Sequence, residues 1–199
     1  MTRLTLIRHG PTRYNEEGRM QGRVDEPLSD AGRAAVGGWR LPPELGDADW
    51  VSSPLGRARE TAILLGGPEP AIEPPIIEMD WGRWEGRRLD DLRHELGRAM
   101  AENEARGLDF RPPGGESPRD VQARVAPWLA ALGKRRRPTL AVTHKGVIRA
   151  IFALALGWDM TGEPPVKLRR AAAHSFAVAP DGLVTVDRLN QPLDEGPAP

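Results

Sequence analysis

The chain has 199 residues, with 28 Lys and Arg against 28 Asp and Glu for a formal net charge of zero. That length suits one domain able to bury about 70% of its unfolded surface, and the balanced charge excludes a strongly basic nucleic-acid binder while leaving room for a local basic pocket. The absence of Cys excludes disulfides, thiolate catalysis, Fe–S clusters and Cys-based zinc sites.

All the cations except Lys134, Lys145 and Lys167 are Arg, a side chain suited to bidentate recognition of phosphate and carboxylate. The opening apolar stretch, MTRLTLIRHG, is too short for a signal-peptide core. The longest apolar run, 150–158, falls far below the roughly 20 residues that span a bilayer. The expectation is a soluble cytoplasmic protein with neither a membrane nor a nucleic acid as partner.

In chain order, Leu4–Ile7 reads as a first strand ending at Arg8. Ser29 or Asp30 caps a helix over 31–39. Trp50–Ser52 is a short strand, followed by a helix over Leu55–Leu65 with Pro54 near its first turn. Ile76 and Ile77 form a short extended piece before a Trp- and Gly-rich turn. Leu89, Leu92, Leu96 and Met100 recur at spacings of three and four, predicting one charged helix over 89–106. Ser117–Leu132 is a helix with a kink expected at Pro127. Leu140–Thr143 is a buried strand and Val147–Leu156 an apolar helix. Ser175–Val178 and Leu183–Val186 form a hairpin around Asp181 and Gly182 at the sheet edge. A single domain over 1–190 is expected, with 191–199 a disordered tail. The alternation predicts a three-layer α/β/α sandwich with a mainly parallel sheet.

Three polar clusters directly follow predicted strands: Arg8-His9-Gly10, Ser53 through Arg57, and Thr143 through Gly146. In open parallel sheets the carboxyl ends of the strands line the ligand crevice, so these clusters should converge. Two of them lead into helices, whose first amides favour anions. Two His, two Arg and two helix starts are the inventory of a phosphate site.

The sequence RHGPTRYNEEGRMQGRVDEPLSDAGRAA resembles the signature of the histidine phosphatase superfamily, the group containing cofactor-dependent phosphoglycerate mutases. SSPLGRARETA, IIEMDWGRWEG, PPGGESPRDV and AVTHKGVIRA continue the likeness in family order, from residue 4 to about residue 152. The resemblance implies a phosphoglycerate mutase-like fold and a phosphoryl-transfer activity that needs no metal and no cofactor. It implies that His9 is the nucleophile, that Arg8 and Arg57 clamp phosphate, and that His144 donates to a phosphoryl oxygen. Glu78, four residues before Gly82, matches the proton donor. Asn15 matches a polar phosphate ligand, and Gln21 and Gly22 match a loop on the substrate side. Pro11 stands where many members have Glu, and Lys145 replaces a common Gly; its ammonium either adds to the phosphate field or points into solvent.

Each assignment has a plainer rival. Arg59 shares the chemistry of Arg57, but the S-P-L-x-R-A spacing selects Arg57. Asp80 and Glu85 compete with Glu78. His94 and His174 read as structural, Trp81 and Trp84 as packing or substrate stacking, and Arg83, Arg87 and Arg88 as a solvated run that could otherwise meet a second substrate anion. The segment between Glu78 and His144 is compact, whereas mutases carry a longer insertion there. Hydrolysis of a small-molecule phosphomonoester is therefore expected over mutase activity or a non-catalytic phospho-ligand-binding role. The DWGRWEG block and the chain length resemble α-ribazole phosphatases in particular. No residue pattern selects between monomer and homodimer.

Overall fold

A computed structural model describes residues 1–135 and 137–193. Among them, six strands form one sheet in the order β3-β2-β4-β1-β5-β6. These are β1 (Thr2–Arg8), β2 (Asp49–Ser52), β3 (Ala71–Ile72), β4 (Thr139–Thr143), β5 (Ala172–Val178) and β6 (Val184–Pro192). β3, β2, β4 and β1 run parallel, and β5 joins β1 antiparallel with β6 outside it.

Alternation along β1 builds the two faces. Leu4 and Leu6 enter a core with α6 (Pro118–Gly133) and α7 (Lys145–Leu156), including Val125, Leu129, Ile148 and Phe152. Ile7 enters the opposite core with Val36 of α2 (Asp30–Gly37) and Ala58 and Ala62 of α3 (Gly56–Leu64). Helices cover both faces, giving the expected three layers. No helix among the described residues is long and apolar enough to cross a membrane.

Several elements differ from expectation for identifiable reasons. The helix read over 89–106 breaks at Gly97, which takes φ +49° between α4 (Leu89–Leu96) and α5 (Arg98–Glu104). Ile76 ends a 3₁₀ turn, Pro74–Ile76, instead of lying in an extended strand, because the Pro pair sets its φ angles. The short helix α1 (Arg13–Glu16) rests on a capping box between Thr12 and Asn15, a local signal with no apolar periodicity. α6 carries Pro127 inside it, in the place of the helix expected over Ser117–Leu132. Gln191 and Pro192 belong to β6 and not to a tail, paired with Ala173 and Ala172, and Leu193 is buried behind them. The rest of the expected tail, 194–199, lies outside the described residues.

Candidate active site

Register fixes the site. Arg8 pairs with Thr143 across β1 and β4, and Ser52 with Val142 across β2 and β4, so the three parallel strands end level. Backbone bonds continue one residue further, from the His9 N–H to the Thr143 carbonyl at 2.9 Å and from the Ser53 N–H to the Val142 carbonyl at 3.0 Å. The three polar clusters therefore meet, as the sequence predicts. The His9 and His144 rings lie 5.1 Å apart.

His9 is buried, and its Nδ1 lies 2.7 Å from the Gly10 carbonyl. A carbonyl only accepts, so Nδ1 carries the proton and Nε2 keeps its lone pair. Burial, with Arg8 and Arg57 adding to it, holds the His9 pKa well below the usual histidine value, so the ring is neutral at physiological pH. His144 is likewise held neutral by burial, followed by His9 and Arg57. Its Nε2 meets the Ser53 hydroxyl at 2.7 Å, and its buried Nδ1 has no partner. Ser53 belongs to a motif visible in the sequence, but its contact with His144 needs the β2–β4 register.

Arg57 is fully buried at the start of α3. Nη1 donates to the Val24 carbonyl at 2.8 Å and Nη2 to the Gly22 carbonyl at 2.7 Å, while Nε is buried without a partner. Arg59 instead pairs with Glu69 at 3.0 Å on the surface, which separates the two rivals. The Arg8 guanidinium, whose Nε is also buried without a partner, is pushed down to about 9 by burial and by Arg170; it remains a cation at neutral pH. Unspent donors on buried guanidiniums are costly unless an anion arrives to take them.

The three competing carboxylates occupy different settings. Glu78 is buried against the start of α7, where the Gly146 N–H donates to it at 3.1 Å and the Met79 N–H at 2.8 Å. Burial raises its pKa, with those amides and Arg57 opposing. Asp80 caps the Gly82 N–H at 2.7 Å and faces Arg23 at 3.5 Å. Glu85 accepts from the Arg23 N–H at 2.7 Å. Gly22 takes φ +55°, and a Cβ there would lie 2.0 Å from a Glu85 carboxylate oxygen, so this turn closes only around glycine.

Asn15 reaches the site margin: its Oδ1 accepts from Arg170 at 3.2 Å as well as from the Thr12 N–H. Gln21 is buried with both ends of its amide engaged, to the Thr12 hydroxyl at 2.9 Å and the Glu26 carbonyl at 3.1 Å, so it braces the loop. Lys145 is exposed at the start of α7; burial around its ammonium, then Arg8 and Arg149, lowers its pKa. Trp81 and Trp84 pack on Phe110 at 5.8 and 5.9 Å, and exposed Arg87 pairs with Glu95 at 2.6 Å. Arg170 was not foreseen. It sits in an irregular segment with no motif, and only the fold carries it beside Asn15.

An α/β sandwich with two neutral imidazoles, two buried guanidiniums and a buried carboxyl at its strand ends is the architecture of a phosphatase-type enzyme. Residues 4–192 match the model of the histidine phosphatase superfamily (branch 1), and the chain belongs to that family. It is 35% identical to the glucosyl-3-phosphoglycerate phosphatase of Mycolicibacterium vanbaalenii, over 81% of this chain and 77% of that one. It is 32% identical to the probable phosphoglycerate mutase GpmB of Citrobacter koseri, over 98% and 99%. The structure of mycobacterial glucosyl-3-phosphoglycerate phosphatase Rv2419c with VO3 superposes with a TM-score of 0.79 at 29% identity, covering 96% of this chain and all of that one.

Proposed function

We propose that the chain is a single-domain cytoplasmic phosphomonoesterase that works through a phosphohistidine on His9. The observation that carries this reading is the Gly10 carbonyl at His9 Nδ1, which leaves Nε2 as a neutral nucleophile facing a cationic site. Nε2 attacks phosphorus and the ester P–O bond breaks. Glu78, whose carboxyl burial shifts toward the protonated form, gives its proton to the departing alkoxide. Water then attacks the phosphohistidine, Glu78 takes the water's proton, and the P–N bond breaks to release inorganic phosphate. Arg8 and Arg57 hold the phosphoryl oxygens through transfer, with His144 at the oxygen where charge develops. Asn15 joins them at the rim, and Lys145 adds positive field.

Hydrolysis is favoured over mutase chemistry by the compact segment between Glu78 and His144, where the family's mutases carry a longer insertion. The substrate class is small phosphorylated metabolites, with α-ribazole phosphate one member to assay. Incubation with a panel of such esters should release inorganic phosphate from at least one at enzymatic rates. Interconversion of 3- and 2-phosphoglycerate without phosphate release would instead establish a mutase, and no turnover of any ester a binding protein.

A further inference from the structure

Three hydroxyls stand where β2 and β4 end, and two of them are spent on the backbone. Ser52 donates to the Ser53 carbonyl at 2.9 Å, and Thr143 to the Ile76 carbonyl at 2.8 Å. The third, on Ser53, meets an imidazole. Its Oγ lies 2.7 Å from His144 Nε2, and both side chains are fully buried. Strand register brings the pair together, because Ser52 is level with Val142 and each chain then runs on past the sheet.

The direction of this bond follows from what each atom can still accept. Ser53 Oγ already accepts from the Leu55 N–H at 3.3 Å. Among the described residues its one other partner is His144 Nε2, so the hydroxyl proton has no acceptor except that nitrogen. A buried O–H without an acceptor is costly, and the bond therefore runs from Ser53 to His144. Burial holds the His144 ring neutral, with a single ring proton. With Nε2 accepting, that proton sits on Nδ1. Nδ1 is buried and has no partner, on a ring whose centre is 5.1 Å from that of His9. The opposite tautomer would strand the Ser53 proton and present a lone pair, which repels a phosphoryl oxygen. Two neighbours thus set the two rings to different tasks. The Gly10 carbonyl leaves His9 with a bare Nε2 that can attack, while the Ser53 hydroxyl leaves His144 with an N–H that can donate.

We propose that Ser53 is a positioning residue for phosphoryl transfer: by donating to Nε2 it holds His144 in the Nδ1–H tautomer, from which the ring gives a hydrogen bond to the phosphoryl oxygen. This role rests on the phosphatase reading and deepens it. The plainer rival is a local brace, in which Ser53 serves only the Leu55 N–H at the start of α3 and the tautomer is indifferent to it.

Long-range ¹H–¹⁵N correlation spectra of the imidazole rings, recorded on ¹⁵N-labelled protein at neutral pH, read the tautomer without turnover. The His144 signals are those missing from His144→Gln. Wild type should show His144 protonated at Nδ1 and bare at Nε2, and inorganic phosphate should shift Nδ1 more than Nε2. Ser53→Ala should move His144 toward the Nε2–H form. It should also lower kcat by about 10–10²-fold on p-nitrophenyl phosphate and on an alkyl phosphate alike, because the phosphoryl oxygen and not the leaving group loses its donor. Ser53→Thr, which keeps the hydroxyl, should restore the tautomer and bring kcat to within about threefold of wild type. If circular dichroism shows that Ser53→Ala does not fold, Ser53→Cys takes its place, with a weak donor at the same position. A wild-type ring protonated at Nε2 would overturn the proposal. So would a Ser53→Ala ring that keeps the wild-type tautomer at any rate, or a shifted tautomer with kcat within about twofold of wild type. Failure of the wild type to turn over any ester would defeat the phosphatase reading, and the spectra with inorganic phosphate would still decide the tautomer.

Discussion

The strand-end floor and the α7-side cleft are both cationic, yet they are made in opposite ways. On the floor, Arg57 is fully buried and tied to the Gly22 and Val24 carbonyls, and His9 is fixed by Gly10, so position is set before any ligand arrives. In the cleft lined by Arg8, Lys145, Arg149 and Lys167, the backbone of 167–169 is fastened by His174 and Asn190. Lys145 and Lys167 are exposed there, and among the described residues no side-chain hydrogen bond or ion pair holds them. The floor suits chemistry, which demands fixed geometry. Lys145 and Lys167 in the cleft lack that fixed hydrogen bonding.

The largest effect should come from the floor. His9→Ala removes the nucleophile and should lower kcat by about 10⁴-fold or more, measured on p-nitrophenyl phosphate, with the circular-dichroism spectrum retained. Activity within tenfold of wild type would place the nucleophile elsewhere.

Next comes the proton donor. Glu78→Gln should slow an alkyl phosphate by about 10²–10⁴-fold but slow p-nitrophenyl phosphate far less, since nitrophenolate leaves without a proton. Glu85→Gln should slow both esters alike, because Glu85 serves the Arg23 turn. The reverse pattern would move the acid from Glu78 to Glu85.

The same residue gives a pH signature. Glu78 must be protonated in the first step and its pKa is raised, so kcat/KM on an alkyl ester should stay high in mild acid. It should fall by about tenfold per pH unit above the Glu78 pKa. His9 must be neutral, and its pKa lies well below the usual value, so the acid limb should begin well below pH 6.5. Glu78→Gln should flatten the alkaline limb alone; an unchanged limb would assign it to another group.

A smaller effect is expected where the floor meets its bracing loop. Gly22→Ala forces a side chain at φ +55° into Glu85 and should cost about 1–3 kcal/mol of stability, read as a lowered urea midpoint. No shift would mean the turn relaxes freely.

The smallest effect concerns metals. Among the described residues, no three His, Asp or Glu side chains group to hold an ion. Exhaustive chelation should leave turnover unchanged; loss restored by one divalent metal would contradict the proposed chemistry.

The floor was legible in the sequence and the cleft was not, for a physical reason. Arg8 ends β1, His9 and His144 directly follow β1 and β4, and Arg57 opens the helix after β2, so local motif and strand order together predict their meeting. Glu78 needed the family pattern, since its turn carries three carboxylates and only burial against Gly146 distinguishes one. Arg170 and Lys167 occupy an irregular stretch whose place depends on Asn190, twenty or more residues later. Gly97 hid the α4–α5 break inside a continuous apolar period, and β6 extended past Gln191 because Pro192 needs no donor at a sheet edge.

The account stands or falls on covalent phosphorylation of His9. Rapid acid-free quenching during turnover of a ³²P-labelled ester, followed by peptide mass spectrometry, reads it directly. The expected result is an acid-labile, base-stable phosphoryl adduct on the peptide containing His9, absent from His9→Ala and accumulating further in Glu78→Gln with p-nitrophenyl phosphate. Steady turnover with no adduct on His9, or an adduct on His144 or His174 instead, would contradict it.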